Sequence, residues 1–142
     1  MKNTNHIISL ISTIRDKANK LILAELKKNS IDDLAPTHGE ILQILFHSHK
    51  SVTMQDLAQK INRDKSTITA LVNKLAKLGF IEKIKSIDDN RVTIIVLTKK
   101  GWELEKIFND ISKILLDKVY KDFTNKEKKE VINVLEKIKN NI

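Results

Sequence analysis

Helical periodicity runs through this chain almost without a break, and only residues 80 to 97 abandon it. One change of period restricts the fold to a mainly α architecture with a single small β element. Ile7, Ile11, Ile14, Ala18 and Leu21 recur at spacings of four, three, four and three, a stripe close to a heptad over residues 5 to 28. Ile8, Leu10, Ile22 and Leu26 widen it, so either the rest of the chain or a second copy must cover it. Pro36-Thr37-His38-Gly39-Glu40 reads as a helix start, with Thr37 as the cap and Glu40 reaching back. That helix continues through Ile41, Leu42, Ile44, Leu45 and Phe46 to about Ser48. Thr53 opens a short helix over 53–61, with Asp56 in the first turn, where the helix dipole favours an anion.

Asn62-Arg63 makes a tight turn into a fourth helix over 64–78, which Gly79 ends. From Phe80 to Ile87 apolar and polar residues alternate, Asp88-Asp89-Asn90 is a turn cluster, and Val92 to Leu97 is a β-branched run. Two such runs around an Asp/Asn turn predict a β-hairpin. The second run is apolar on both faces, so one face should lie on the helices. Thr98 caps a long helix carrying Leu104, Ile107, Phe108, Ile111, Leu115 and Val119 to about Asp122. Thr124 and Glu127 form a capping box that opens a last helix with Val131, Val134, Leu135 and Ile138 on one face.

Composition narrows the function classes. The 26 Lys and Arg against 18 Asp and Glu give a net charge of +8, which points to a polyanionic partner. Aromatics at 4% leave little material for base stacking, the usual single-strand and RNA strategy. Cysteine is absent, which excludes disulfides, zinc–thiolate sites and thiol nucleophiles. No charge-free apolar run reaches about 18 residues, and the N-terminus lacks a signal-peptide pattern. The expectation is a soluble cytoplasmic protein without a membrane partner.

The helices at 53–61 and 64–78 form a helix-turn-helix pair, with Leu57 and Ile61 apolar and Ala58 small where the second helix crosses. The second helix should bury Ile68, Leu71, Val72 and Leu75. Its opposite face is Ser66, Ala70, Asn73 and Lys77, flanked by Thr67, Thr69 and Lys74, side chains that are short, hydrogen-bonding or cationic. A helix enters the major groove only if its outer face is slim and can donate or accept at base edges. An ordinary αα-hairpin with a solvated face is the competing reading. The hairpin that follows at once favours a winged helix-turn-helix, and its tip carries Arg91, one of only three arginines. A guanidinium suits the negative potential of a narrow minor groove.

The run from Asp89-Asn90-Arg91 through Leu97-Thr98-Lys99-Lys100-Gly101 resembles the Asp-x-Arg…Leu-Thr-x-x-Gly signature of MarR-type transcriptional regulators. The run from Asp64 to Leu75 is similar to that family's recognition helix, and Phe80-Ile81 matches the strand entering the wing. The resemblance covers about residues 5 to 140. It implies one chain (1–142) with a winged helix-turn-helix DNA-binding lobe at 37–97 and dimerisation helices at 5–30 and 98–142. It further implies a homodimer on a pseudopalindromic double-stranded DNA operator, with recognition helices roughly 34–36 Å apart in successive major grooves. By the same resemblance, Lys65, Ser66, Thr67, Thr69, Ala70, Asn73 and Lys74 would serve the major groove. Arg91, oriented by Asp89, would enter the minor groove. Many relatives carry a larger polar residue, often Arg, where this chain has Ala70, so their base preference does not carry over. A methyl there can still touch thymine.

Relatives also bind small aromatic or phenolic effectors. The resemblance places such a crevice at His38, Leu42, Phe46 and Trp102, with plain core packing as the alternative for all four. The expected function is a repressor released by such an effector, and the alternative is a winged-helix protein-interaction module. His6, His38, His47 and His49 lack the spacing of a metal site, and Asp88-Asp89 reads as a turn rather than an acid–base pair. No phosphate loop, nucleophile or metal-helix motif occurs, so no enzyme and no cofactor is expected. Lys126, Lys128 and Lys129 of the last helix read as merely solvated.

Overall fold

The computed structural model describes residues 3–142. Among the described residues, seven helices and three short strands follow in the order α1 (Ile7–Lys28), α2 (Pro36–His47), β1 (Val52–Thr53), α3 (Met54–Ile61), α4 (Lys65–Lys77), β2 (Ile81–Lys85), β3 (Thr93–Leu97), α5 (Lys99–Trp102), α6 (Glu105–Val119) and α7 (Asn125–Asn141). Mainly helical, with a winged helix-turn-helix at the centre, this is the expected class.

Helix α2 is the hub of the core. Its residues Ile41, Leu42, Leu45 and Phe46 are buried against Leu57 of α3, Ile68, Val72 and Leu75 of α4, and Phe108 and Ile111 of α6. Leu71, expected among the buried residues of α4, is only half-buried. Helix α2 starts two residues earlier than a Thr37 cap would have it. Pro36, whose fixed φ suits the first helical position, begins the helix behind Ala35. The reciprocal contact comes from His38, whose Nδ1 accepts the Ala35 N–H at 2.9 Å. Glu40, left free of capping, lies 3.6 Å from Arg15 of α1.

The sheet has three strands in the order β1-β3-β2, all antiparallel, where sequence pattern indicated only a hairpin. Val52 pairs with Ile95 on one side of β3, and Lys83 pairs with Ile95 on the other. Paired along both edges, β3 has Ile95 buried and its other residues half-buried. The long helix expected after Thr98 is broken into α5 and α6. Leu104 N–H bonds back three residues to Gly101 O, a tightened turn that interrupts the α ladder, and buried Gly101 lies against the backbone of Phe80.

Three helices keep apolar residues outside the core. Ile7, Ile8, Leu10, Ile11 and Ile14 of α1 are exposed, as are Leu116 and Val119 of α6. Helix α7 has no buried residue at all, although Val131, Ile132, Val134 and Leu135 lie on it. The chain itself therefore leaves the stripe at 7–14 uncovered. Among the described residues, no helix is long and apolar enough to cross a membrane.

Candidate nucleic-acid interface

Local hydrogen bonding builds the helix pair as the sequence pattern requires. Thr53 and Asp56 cap α3 reciprocally, at 2.9 and 3.1 Å. The Thr53 N–H holds the Asp56 carboxyl below its usual range. Asn62 ends α3 in the left-handed region at φ 54°, a conformation Asn tolerates better than most residues. Asp64 then caps α4, accepting from Thr67 N–H at 2.7 Å and from the Ser66 hydroxyl at 2.8 Å. Those donors, the Thr67 N–H foremost, keep the Asp64 carboxyl ionised below its ordinary range.

The outer face of α4 is open. Lys65, Ser66, Thr67, Ala70, Asn73, Lys74 and Lys77 are exposed, and Thr69 is half-buried. Two hydroxyl protons on this face are already committed: Ser66 gives its proton to Asp64, and Thr69 donates to Lys65 O at 2.8 Å. Both oxygens therefore offer only lone pairs outward. The far end of α4 is clamped. Gly79 takes φ 85°, Lys100 Nζ donates to Leu78 O at 2.7 Å while lying 4.7 Å over the Phe80 ring, and the Thr98 hydroxyl donates to Gly79 O at 2.6 Å. Cations satisfy the orphan carbonyls at a helix C-terminus.

The wing turns at 86–92, where Ser86 N–H bonds Val92 O and Val92 N–H bonds Asp89 O, both at 3.0 Å. Asp89 Oδ1 accepts from the Arg91 N–H at 3.0 Å and from Nε at 3.2 Å, and Nη2 reaches Oδ2 at 3.4 Å. The backbone N–H, then the guanidinium, lower the Asp89 pKa. Held this way, the Arg91 side chain remains 92% exposed. Between wing and helix pair lies an open concavity of about 1100 Å³, with Lys65, Lys83, Lys85 and Arg91 on its walls beside Thr69 and Gln55. Four cations around one concave surface fit a polyanion backbone.

Lys83 and Lys85 stand in the sequence only within the mixed charge pattern of the lobe, outside the residues assigned to DNA. The signal lay in β2 itself: Ile81, Lys83 and Lys85 alternate, so the face buried at Ile81 continues outward as lysine. Of the residues assigned to an effector crevice, His38, Leu42 and Phe46 are buried in the core, and only Trp102 is exposed, its ring 6.0 Å from Phe46. Positions 38, 42 and 46 form one stripe of α2, and that stripe is the core stripe. The apolar cavity beside α2, of about 510 Å³, opens on the other side, where Gly39, Gln43 and Ile44 face Ile22, Ile61, Phe108, Ile111 and Leu115. His47 is exposed and pairs with Gln43 at 2.9 Å. His38 is the exception among the histidines, with Nε2 buried and unpartnered. Burial, then the Lys74 ammonium, hold its pKa below the ordinary value.

Comparison with known proteins agrees with this geometry. Residues 34–93 match the model of the MarR family. The transcriptional regulator SarZ of Staphylococcus haemolyticus is 26% identical over 140 residues, covering 97% of this chain and 90% of its own. A mutant of Escherichia coli MarR solved with operator DNA superposes with a TM-score of 0.79 at 19% identity, covering 96% of this chain and 99% of that one. The organohalide-sensing regulator RdhR in its 2,4-dichlorophenol-bound form gives a TM-score of 0.82 at 23% identity, covering 99% and 82%. Residues 34–93 therefore carry a domain of the MarR family, and the chain around it has the winged helix-turn-helix fold of those structures.

Proposed function

We propose that the chain is a homodimeric, sequence-specific repressor of transcription whose lobe at 37–97 reads a pseudopalindromic operator. Helix α4 enters the major groove with Lys65, Ser66, Thr67, Thr69, Ala70, Asn73 and Lys74. Arg91, steadied by Asp89, enters the adjacent minor groove. The observation that carries this reading is that Lys65 and Thr69 of α4 line one concavity together with Lys83, Lys85 and the exposed Arg91 of the wing. The uncovered apolar residues of α1, α6 and α7 support dimerisation through the segments 5–30 and 98–142.

A small apolar effector releases the operator by binding better to a dimer whose recognition helices no longer match successive grooves. The cavity between α1, α2, α3 and α6 supports that step, because its volume lies in the range of small-molecule sites and its walls join helices of the lobe to helices of the stripes. The test is duplex binding as a function of salt. With several Lys and Arg on phosphates, affinity should fall about 10³–10⁵-fold between 50 and 200 mM salt. A complex indifferent to salt overturns the reading.

A further inference from the structure

We propose that Lys83 is a positioning residue for base reading: by engaging the Asn73 carboxamide oxygen it turns that oxygen toward the wing and the NH₂ outward, which favours guanine over adenine in the base pair Asn73 meets. The inference rests on the operator reading above and adds to it a rule for one base pair.

Asn73 on α4 and Lys83 on β2 are both exposed, and Lys83 Nζ donates to Asn73 Oδ1. Among the described residues, this is the hydrogen bond that joins side chains of the outer face of α4 and the wing. Chemistry fixes the amide's orientation. An ammonium has three donors and no acceptor, so a carboxamide NH₂ turned toward it would set donor against donor. Oxygen therefore faces the wing, and Nδ2 faces outward.

Asparagine reads adenine with both ends of its amide, donating to N7 and accepting from N6. With Oδ1 turned toward Lys83 and one of its lone pairs taken, the two-ended pairing with adenine is lost, and the adenine amino group meets the outward NH₂, a second donor. Of the neighbours one turn away, Ala70 and Lys77 carry no acceptor, and Thr69 is half-buried with its hydroxyl turned to Lys65 O. Guanine presents N7 and O6, two acceptors side by side. The outward NH₂ and the remaining ammonium hydrogens match that edge.

The experiment is selection of bound duplexes from a random pool by the full chain, its Asn73→Ala variant, Lys83→Met and Lys83→Arg. The base pair whose preference Asn73→Ala erases identifies the contact. At that pair the unmodified chain should favour guanine over adenine by about 5- to 150-fold. Lys83→Met should move the preference toward adenine there and nowhere else, because it frees Oδ1. Lys83→Arg, which keeps a donor, should restore guanine. Adenine at that pair in the unmodified chain overturns the inference. So does a Lys83→Met variant that weakens all duplexes equally with its preferences intact, which makes Lys83 a phosphate contact instead. Failure to select any motif overturns the operator reading as well, and so is told apart from failure of this inference alone.

Discussion

Alanine at position 101 tests how tightly the base of the wing is built. A Cβ on Gly101 would lie 2.1 Å from Phe80 O and 3.0 Å from Leu97 Cδ2, where ordinary contact begins at 3.4 Å. The nearest atom is backbone at the entry to β2, so α5 and the strand must separate by about 1 Å. Such separation strains the Thr98 N–H to Phe80 O bond at 3.1 Å and the Thr98 hydroxyl to Gly79 O bond at 2.6 Å. Overpacking costs about 1–3 kcal/mol, and each weakened bond adds about 0.5–1.5 kcal/mol. Against this, Ala improves a helix over Gly by roughly 0.5–1 kcal/mol. The net expectation is a loss of about 2–4 kcal/mol, a large share of a typical stability of 5–15 kcal/mol. Urea unfolding at fixed protein concentration should show it as a midpoint lower by about 1–2 M at unchanged slope. Gly39→Ala is the comparison, since the nearest atoms to its Cβ belong to the Phe108 side chain, at 2.9 Å, rather than to backbone, and the loss there should be smaller. A Gly101→Ala variant as stable as the parent, or more stable, refutes the close approach.

Arg91→Ala should leave thermal unfolding unchanged, because its partner Asp89 and the guanidinium are both solvated, yet it should make the plot of log affinity against log salt shallower by about one; an unchanged slope removes Arg91 from the phosphate-lined groove. His38 gives a pH dependence with a definite sign. Burial keeps its folded pKa below the ordinary 6.5, so the unfolded chain binds the extra proton, and stability present above 6.5 is lost as pH falls toward the folded value. His38→Asn, which retains an acceptor for the Ala35 N–H, should flatten the decline in unfolding free energy between about pH 7.5 and 5.5 relative to the parent. An identical decline in both proteins assigns it to other groups.

Local signals with a one-to-one structural consequence were legible in the sequence. The Thr53/Asp56 box, the Asn62 turn, the Asp64-led start of α4 and the Gly79 stop all follow from residue chemistry within four positions. The Leu-Thr-x-x-Gly run gains a physical meaning in the fold: Thr98 accepts from Gly101 N–H at 3.1 Å and anchors Gly79, while Gly101 admits Phe80 O. Features decided by distant partners were not legible. Strand β1 is two residues long and exists only because Val52 and Thr53 meet β3. The break between α5 and α6, where Leu104 N–H turns back to Gly101 O, lies beside the close approach of Phe80 O to Gly101, and no helix-breaking residue in the stripe announces it. Thr37 and Glu40 have the spacing of a capping box, but Pro36 ahead of them starts the helix earlier and hands the reciprocal role to His38. For His38, Leu42 and Phe46 the resemblance offered a crevice and plain packing was the alternative, and the helical phase of α2 puts them in the core. Lys83 and Lys85 were counted only as charge, because their face depends on the pairing of β2 with β3.

Paired recognition is tested most directly by spacing. Once a duplex with two half-sites has been selected, about five base pairs inserted between them turn one half-site to the opposite face of the DNA, and about ten restore it. Two copies of α4 held at one groove repeat should lose affinity sharply with the short insertion and recover with part of the long one. Equal affinity for all three duplexes would mean that each lobe binds alone, and the dimeric reader would have to be abandoned.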